Sequence, residues 1–217
     1  MAGRPPTFHA RPQQVSLGVL APAPTPARRE DVDGDRIYTI RGLLRPRECR
    51  ALIDAAEGLG FRAAGLAVGD DDYRVNEKAR NNERVLIEDR ELAAGLWARL
   101  SGLLAPRHEG ARLRGVNWRL RIYRYGPGQY FRPHRDVRMD MPGGGQSRCS
   151  LMIYLNDGFT GGRTRFFGPG AKGKNPVSLV VTPVAGAALV FDHLLLHEGE
   201  EVAAGTKYAI RSDVIYG

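Results

Sequence analysis

The sequence predicts an α+β fold in which two amphipathic helices precede a long run of short strands. Three observations carry that prediction. Apolar residues recur at helical spacing in two stretches before residue 101. From Val116 onward the apolar period drops to two. Glycine and proline clusters then interrupt the chain too often for further helices.

Residues 1 to about 30 are rich in Pro, Ala and Arg, as in Ala21-Pro22-Ala23-Pro24-Thr25-Pro26. Such a segment buries too little to offset its ordering entropy. A flexible arm is expected there, followed by one domain over 31–217 with its core at about 116–217. Ile37 to Ile40 reads as a short strand. Pro46 suits the first position of a helix whose apolar side is Cys49, Leu52, Ile53 and Ala56, with Gly58 stopping it. Residues 62–84 read as polar and irregular. Asp89 is placed to cap a second helix carrying Leu92, Ala93, Leu96, Trp97 and Leu100 on one face.

Val116, Trp118, Leu120 and Ile122 then alternate with Asn117, Arg119, Arg121 and Tyr123, as in a strand. Further strands are predicted at Phe131–Asp136, Cys149–Leu155, Thr164–Phe167, Val177–Thr182, Ala187–Phe191 and Thr206–Tyr216. The clusters Pro142–Gly145, Gly161-Gly162 and Gly168–Gly173 separate them, and the first of these is either a mobile lid or a plain loop. No internal repeat is visible. A double-stranded β-helix, the jelly roll of cupin-like proteins, with supporting N-terminal helices fits this pattern.

The 217 residues suit one domain, and a composition 42% hydrophobic and 26% charged is that of a soluble globular chain. No apolar run approaches the roughly 18 residues a membrane helix needs, so no membrane partner is expected. The first residues lack the apolar core of a secretory signal and the last form no retention tetrapeptide, so no secretory routing is expected. The two cysteines, Cys49 and Cys149, are too few for a disulfide framework or a Cys-built metal site, and a reducing cytoplasm is expected. A net charge of +8 raises nucleic acid as a partner. The arginines are scattered, however, and interrupted by acidic stretches such as Glu30–Asp35 and Asp70-Asp71-Asp72. No basic and aromatic stripe marks a single-strand platform, so general surface charge is the stronger reading.

His134-Arg135-Asp136 is the chemically loaded motif. In a strand, residues i and i+2 share a side, so His134 and Asp136 can both face a barrel interior while Arg135 faces away. Two imidazoles and one carboxylate make the facial set of non-haem Fe(II) sites. The second imidazole must come from elsewhere, and His197 follows the last apolar strand, with Lys207 ten residues beyond. His-x-Asp alone arises often by chance; agreement of several pieces at fixed offsets raises its standing.

Tyr125-Gly126-Pro127-Gly128-Gln129-Tyr130-Phe131-Arg132-Pro133-His134-Arg135-Asp136 resembles the Tyr-x-x-Gly-x-x-Tyr/Phe-x-x-His-x-Asp stretch of the prolyl 4-hydroxylase-like branch of 2-oxoglutarate/Fe(II)-dependent dioxygenases. Ile153–Asp157 resembles the next strand of that family, and Gly161-Gly162-Arg163-Thr164-Arg165-Phe166 its Gly-Gly-Glu-Thr-x-Phe. Val181–Phe191 is similar to the strand–Pro–Gly–strand stretch before the distal His, and His197-Glu198-Gly199 through Gly205-Thr206-Lys207-Tyr208 to the distal block. The resemblance covers most of residues 37 to 217 and departs at Arg163, where the family has Glu; a changed surface turn or site rim is expected there.

The resemblance implies that His134, Asp136 and His197 bind Fe(II) and that 2-oxoglutarate is the cosubstrate. Lys207 would receive its far carboxylate, since a carboxylate taken out of water must be paired. O2 would be consumed, succinate and CO2 released, a C–H bond hydroxylated, and ascorbate would serve as reductant. By branch, the substrate is a peptidyl proline. A free amino acid or small metabolite is the alternative, a nucleic-acid demethylase a third, and a catalytically inactive binding module that kept the fold the reading from another class. The sequence does not specify oligomeric state.

Around this set, Tyr125 matches a family tyrosine that contacts the cosubstrate, and Tyr154 shares a strand face with Ser150 and Met152. Each reads equally well as a core aromatic. Arg211, four residues past Lys207, is a candidate second cation or an ion-pair partner of Asp213. Arg80, Asn82 and Arg84 are candidates for substrate binding, against the reading of a capped, solvated turn. His193 rivals His197 as distal ligand, but the ten-residue offset to Lys207 and the His-Glu-Gly sequence favour His197. His9 and His108 are expected at the surface.

Overall fold

The computed structural model describes residues 7–18, 20, 27–67, 71–169 and 176–217. Twelve strands frame it: β1 (Arg28–Asp33), β2 (Ile37–Arg41), β3 (Glu83–Glu88), β4 (Ala111–Val116), β5 (Arg119–Tyr125), β6 (Phe131–His134), β7 (Gln146–Tyr154), β8 (Thr164–Phe167), β9 (Val177–Val181), β10 (Ala188–Asp192), β11 (His197–Gly199) and β12 (Lys207–Tyr216). The major sheet runs β3-β5-β12-β7-β10-β2-β1, and the minor sheet β6-β11-β8-β9. All of these pairings are antiparallel. Two facing sheets of this order are a jelly roll.

The alternation in the strands sorts the major sheet into two faces. Leu120, Ile122, Leu151, Ile153, Val190 and Ile210 lie in the main hydrophobic cluster with the helices. Their neighbours Tyr123, Tyr125, Met152, Phe191, Ala209 and Arg211 line a pocket on the other face. The helix side is mainly apolar, its few polar groups such as Ser212 and the Tyr38 and Tyr216 hydroxyls bonded to backbone; the other side carries the polar chemistry.

Helix α1 (Pro46–Leu59) starts where the Arg45 N–H donates to Glu48 Oε2 at 2.8 Å, with Pro46 in the first turn. It runs one residue past Gly58 and stops at Gly60, whose φ of 82° is left-handed. Gly58 therefore lies inside the helix rather than ending it. Helix α2 (Arg90–Leu100) is capped as expected, Asp89 accepting from Leu92 N at 2.9 Å. Leu52, Leu92, Leu96 and Leu100 are at most 4% exposed. Burying each contributes about 1.5–3 kcal/mol. Arg99 pairs with Glu48 at 2.7 Å and ties the two helices together. Gly186, before β10, has φ +76°, and a Cβ there would stand 2.2 Å from Leu44 O, so the approach of that loop depends on glycine.

Other elements depart from expectation. Residues 62–84 are not irregular: they hold the short strands Arg62–Ala63, Leu66–Ala67 and Asp72–Arg74 and lead into β3, the neighbour of β5. The strand expected from Val116 is two strands, broken at Asn117-Trp118, where Asn117 Oδ1 accepts the Arg119 N–H. β6 ends at His134, before Asp136. The expected flexible arm is laid onto the domain in its described part. Thr7–His9 pairs with Asp72–Arg74, Gln13–Gln14 runs parallel to β3, Leu17 N donates to Asp89 Oδ2 at 2.6 Å, and Leu20 packs on Gly95. Ala21–Pro26, Asp70 and residues 170–173 of the last glycine cluster lie outside the described residues. The Pro142–Gly145 turn is anchored: Met141 N donates to Gly145 O at 2.9 Å, and a Cβ on Gly145 would meet Tyr216 O at 3.0 Å.

Candidate metal and cosubstrate site

His134 and His197 face each other as a registered pair between β6 and β11. Asp136 follows two residues beyond His134 in extended chain, not in the strand, and is held there by its N–H donating to His193 O at 2.9 Å. The three side chains converge: His134 Nε2 lies 3.8 Å from Asp136 Oδ1, and His197 Nε2 3.7 Å from Asp136 Oδ2. Their ligand atoms all fall within 4.8 Å of one another, a group that could hold a metal ion.

The protonation states suit a cation. Each imidazole donates Nδ1–H to the carbonyl two residues before it, His134 to Arg132 O at 2.8 Å and His197 to Leu195 O at 2.9 Å. That fixes the tautomer and leaves both Nε2 lone pairs toward Asp136. Burial, with the neighbouring His197, pushes His134 down to about 3, and burial lowers His197 too, so both rings are neutral. Burial alone would raise Asp136, but the Arg211 guanidinium, helped by the Ser150 hydroxyl, outweighs it and holds the carboxyl well below its usual range. Ser150 Oγ donates to Asp136 Oδ2, and Arg211 Nη2 lies 3.2 Å from the same oxygen. Phe131 stacks on His134 at 3.5 Å, and Phe191 meets His197 edge-on at 4.5 Å, which orients both rings.

Lys207 sits deeper in the same pocket, 4% exposed. Its Nζ donates to Gly162 O at 2.6 Å and lies 5.3 and 5.5 Å from the rings of Tyr125 and Tyr154. Gly162 has φ +63°, and a Cβ on it would stand 2.9 Å from the Phe159 ring, so only glycine brings that carbonyl in. No carboxylate among the described residues pairs with Lys207, and burial lowers it to about 8. A buried ammonium without a counter-ion fits an anionic ligand. Tyr125 lines the pocket; Tyr154 is fully buried behind it, sharing a 2.8 Å hydrogen bond with Thr164 Oγ1. Arg163 points outward and pairs with Glu200 at 2.6 Å, leaving the metal residues alone.

Two expectations about neighbours change, the solvated turn of Arg80, Asn82 and Arg84 and the surface place of His108. Arg211 is a buried partner of Asp136 and Asp213, the latter at 3.1 Å. Arg80, Asn82 and Arg84 are not a solvated turn: each is at most 6% exposed, and aromatic rings cover the two arginines. Arg80 lies 4.0 Å over Phe131 and donates to Asn82 Oδ1, and Arg84 lies 3.8 Å over Tyr73. His108 is buried too, 2.9 Å from Asp192. His193 is fully buried 3.4 Å from Asp213 Oδ1 and outside the triad. Residues missed from the sequence are Ser150, Thr164 and Arg121. Arg121 was readable, since it shares the face of Tyr123 and Tyr125 by alternation.

Comparison with known proteins agrees with this geometry. Residues 120–212 match the model of the 2OG-Fe(II) oxygenase superfamily. The chain is 32% identical over 107 residues to prolyl 4-hydroxylase 1 of Arabidopsis thaliana, an alignment covering 42% of this chain and 38% of that protein. It thus spans well under half the length of that relative. Among solved structures it is similar to the viral collagen prolyl hydroxylase of Paramecium Bursaria Chlorella virus-1 in its 2OG complex, with TM-score 0.55, 24% identity and coverage of 84% of this chain and 97% of that one. It also resembles the Trichoplax adhaerens prolyl hydroxylase in complex with a hypoxia inducible factor peptide fragment, with TM-score 0.61, 17% identity and 84% of each chain covered.

Proposed function

We propose, from a core whose residues 120–212 match the model of the 2OG-Fe(II) oxygenase superfamily, that this protein hydroxylates an unactivated C–H bond, with peptidyl proline as the first substrate class. O2 and 2-oxoglutarate are its cosubstrates, and succinate and CO2 are released. The observation that carries this reading is one pocket with the triad His134, Asp136 and His197 at one part and the unpaired ammonium of Lys207 at another. Iron(II) at the triad supplies the oxygen chemistry. The protein supplies position. The carbonyls of Arg132 and Leu195 hold the imidazoles aimed while burial keeps them neutral, Ser150 and Arg211 hold the carboxylate, and Lys207 receives the far carboxylate of 2-oxoglutarate. Tyr125 lines the pocket beside that carboxylate with Tyr154 packed behind, and Phe131, Met152 and Phe191 line it with apolar surface that excludes water. Proline is suggested by the names of the relatives, which supports the class of substrate and not its sequence.

No described helix is long and apolar enough to cross a membrane. The test is direct. Anaerobic addition of Fe(II) and 2-oxoglutarate should give a weak visible charge-transfer band, and air with a proline peptide should give succinate and a +16 Da product. Absence of both metal uptake and the band in the wild type would end this reading. A product seen with free amino acids but with no peptide would move the substrate class alone.

A further inference from the structure

The face that carries the triad continues into a cleft of about 220 Å³ whose wall is arginine: Arg80, Arg84, Arg121 and Arg211, beside His134 and Asp136. Arg121 stands directly opposite Arg211 across the β5–β12 pair. Arg84 stands opposite Tyr123 across the β3–β5 pair, on the same face. Like charges facing each other across strands repel, and burial removes the water that would screen them. Two described carboxylates share the wall, and Arg211 Nη2 takes both, at 3.2 Å from Asp136 and 3.1 Å from Asp213. Arg121 Nη1 is left 3.7 Å from Asp213 Oδ2 with no hydrogen bond. Arg84, 6% exposed, has an Nη2 with no hydrogen-bond partner and no carboxylate within ion-pair reach among the described residues. Burial lowers Arg84 to about 10, so it stays charged at neutral pH. Arg80 is already engaged, by Asn82 and the Phe131 ring.

Buried guanidinium donors without acceptors are costly, and their planar fork matches a carboxylate. We propose that the substrate carries a carboxylate that docks on Arg84 and Arg121, beside the carbon to be hydroxylated. The proposal rests on the hydroxylase reading and narrows it. The carboxylate has two sources, an acidic side chain next to the target residue in a peptide, or the free α-carboxylate of a small or chain-terminal substrate.

The test uses the full chain with Fe(II) and 2-oxoglutarate under anaerobic conditions, so that binding is read without turnover. Calorimetry compares acetyl-Glu-Pro-amide with acetyl-Gln-Pro-amide, and acetyl-proline with its amide. The acidic member of at least one pair should bind tenfold tighter or more, and the pair that discriminates identifies the source. Arg84→Gln and Arg121→Gln should each bring the ratio toward one; a urea melt checks that each variant folds, and two variants guard against failure of either. Equal binding of acid and amide, no binding of either acid, or discrimination that survives both substitutions overturns the carboxylate site. The visible band, recorded on the same samples, reports the hydroxylase reading separately. A band with no acid preference sinks this proposal alone; an acid preference with no band sinks the other.

Discussion

Replacing Lys207 with methionine should stabilise the ligand-free protein while crippling cosubstrate binding. Burial lowers the Lys207 ammonium from its ordinary 10.5 to about 8. At about 1.4 kcal/mol per pKa unit, holding that charge costs the folded state about 3 kcal/mol. Methionine keeps the apolar stem but gives up the bond to Gly162 O, worth about 1 kcal/mol. A net gain of about 2 kcal/mol at pH 7 is expected, read from urea melts without metal or cosubstrate. The sign with pH is fixed. Below about pH 8 the lysine is charged in both folded and unfolded chains and the penalty is full. Between about 8 and 10.5 the folded lysine loses its proton first and the penalty fades, so the advantage of methionine should shrink over that window. For binding, removing one partner of a buried ion pair costs about 3–5 kcal/mol. The dissociation constant for 2-oxoglutarate, titrated anaerobically with Fe(II) present, should therefore rise by about two to four orders of magnitude. A Lys207→Met protein less stable than wild type at both pH 7 and pH 10, or one binding 2-oxoglutarate as before, would refute this reasoning.

Arg211→Met leaves Asp136 and Asp213 buried without their shared cation and should cost about 3–5 kcal/mol in a urea melt; a wild-type midpoint would contradict the pairing. Asp89→Ala removes the acceptor for both Leu92 N and Leu17 N. A loss of about 1–2 kcal/mol is expected, with new protease cleavage in residues 10–18. Cys49 and Cys149 are buried, which pushes their thiols up to about 11 and about 12. Neither should react with a thiol reagent at pH 8 until urea is added, and labelling of the folded chain would show the burial to be wrong.

Much of the fold was legible because local signals agreed. Pro46 and Asp89 mark the helix starts, and the period-two stretch around Leu120 and Ile122 marks the first central strand. β3 was missed because its inner residues Arg84, Val85, Leu86 and Ile87 are all buried, two on each face, which erases the alternation that betrays a half-exposed strand. The triad and Lys207 could be picked out because their spacing is carried by strand geometry and resembles a known motif. Arg80, Arg84 and Arg211 could be picked out one by one, but their assembly with Arg121 into one wall could not. An arginine beneath an aromatic ring is written like a surface arginine, and Arg84, Tyr73 and Phe131 come together only through the tertiary fold. His108 escaped for the same reason, since its partner Asp192 is supplied from across the sheet.

The pairing of His134 with His197 bears on what the metal does for the fold. Closing the loop of roughly sixty residues between them in an unfolded chain would cost about 3–4 kcal/mol in entropy. Here the backbone ladder of β6 and β11 holds them face to face through pairing that needs no ion. The metal is then a replaceable part in a finished socket, unlike the ion of a zinc finger, whose binding and folding are one event. A chelator should strip the iron and leave the far-UV circular dichroism and urea midpoint close to those of the loaded protein. Re-addition of Fe(II) after chelation should then restore the 2-oxoglutarate charge-transfer band without a refolding step.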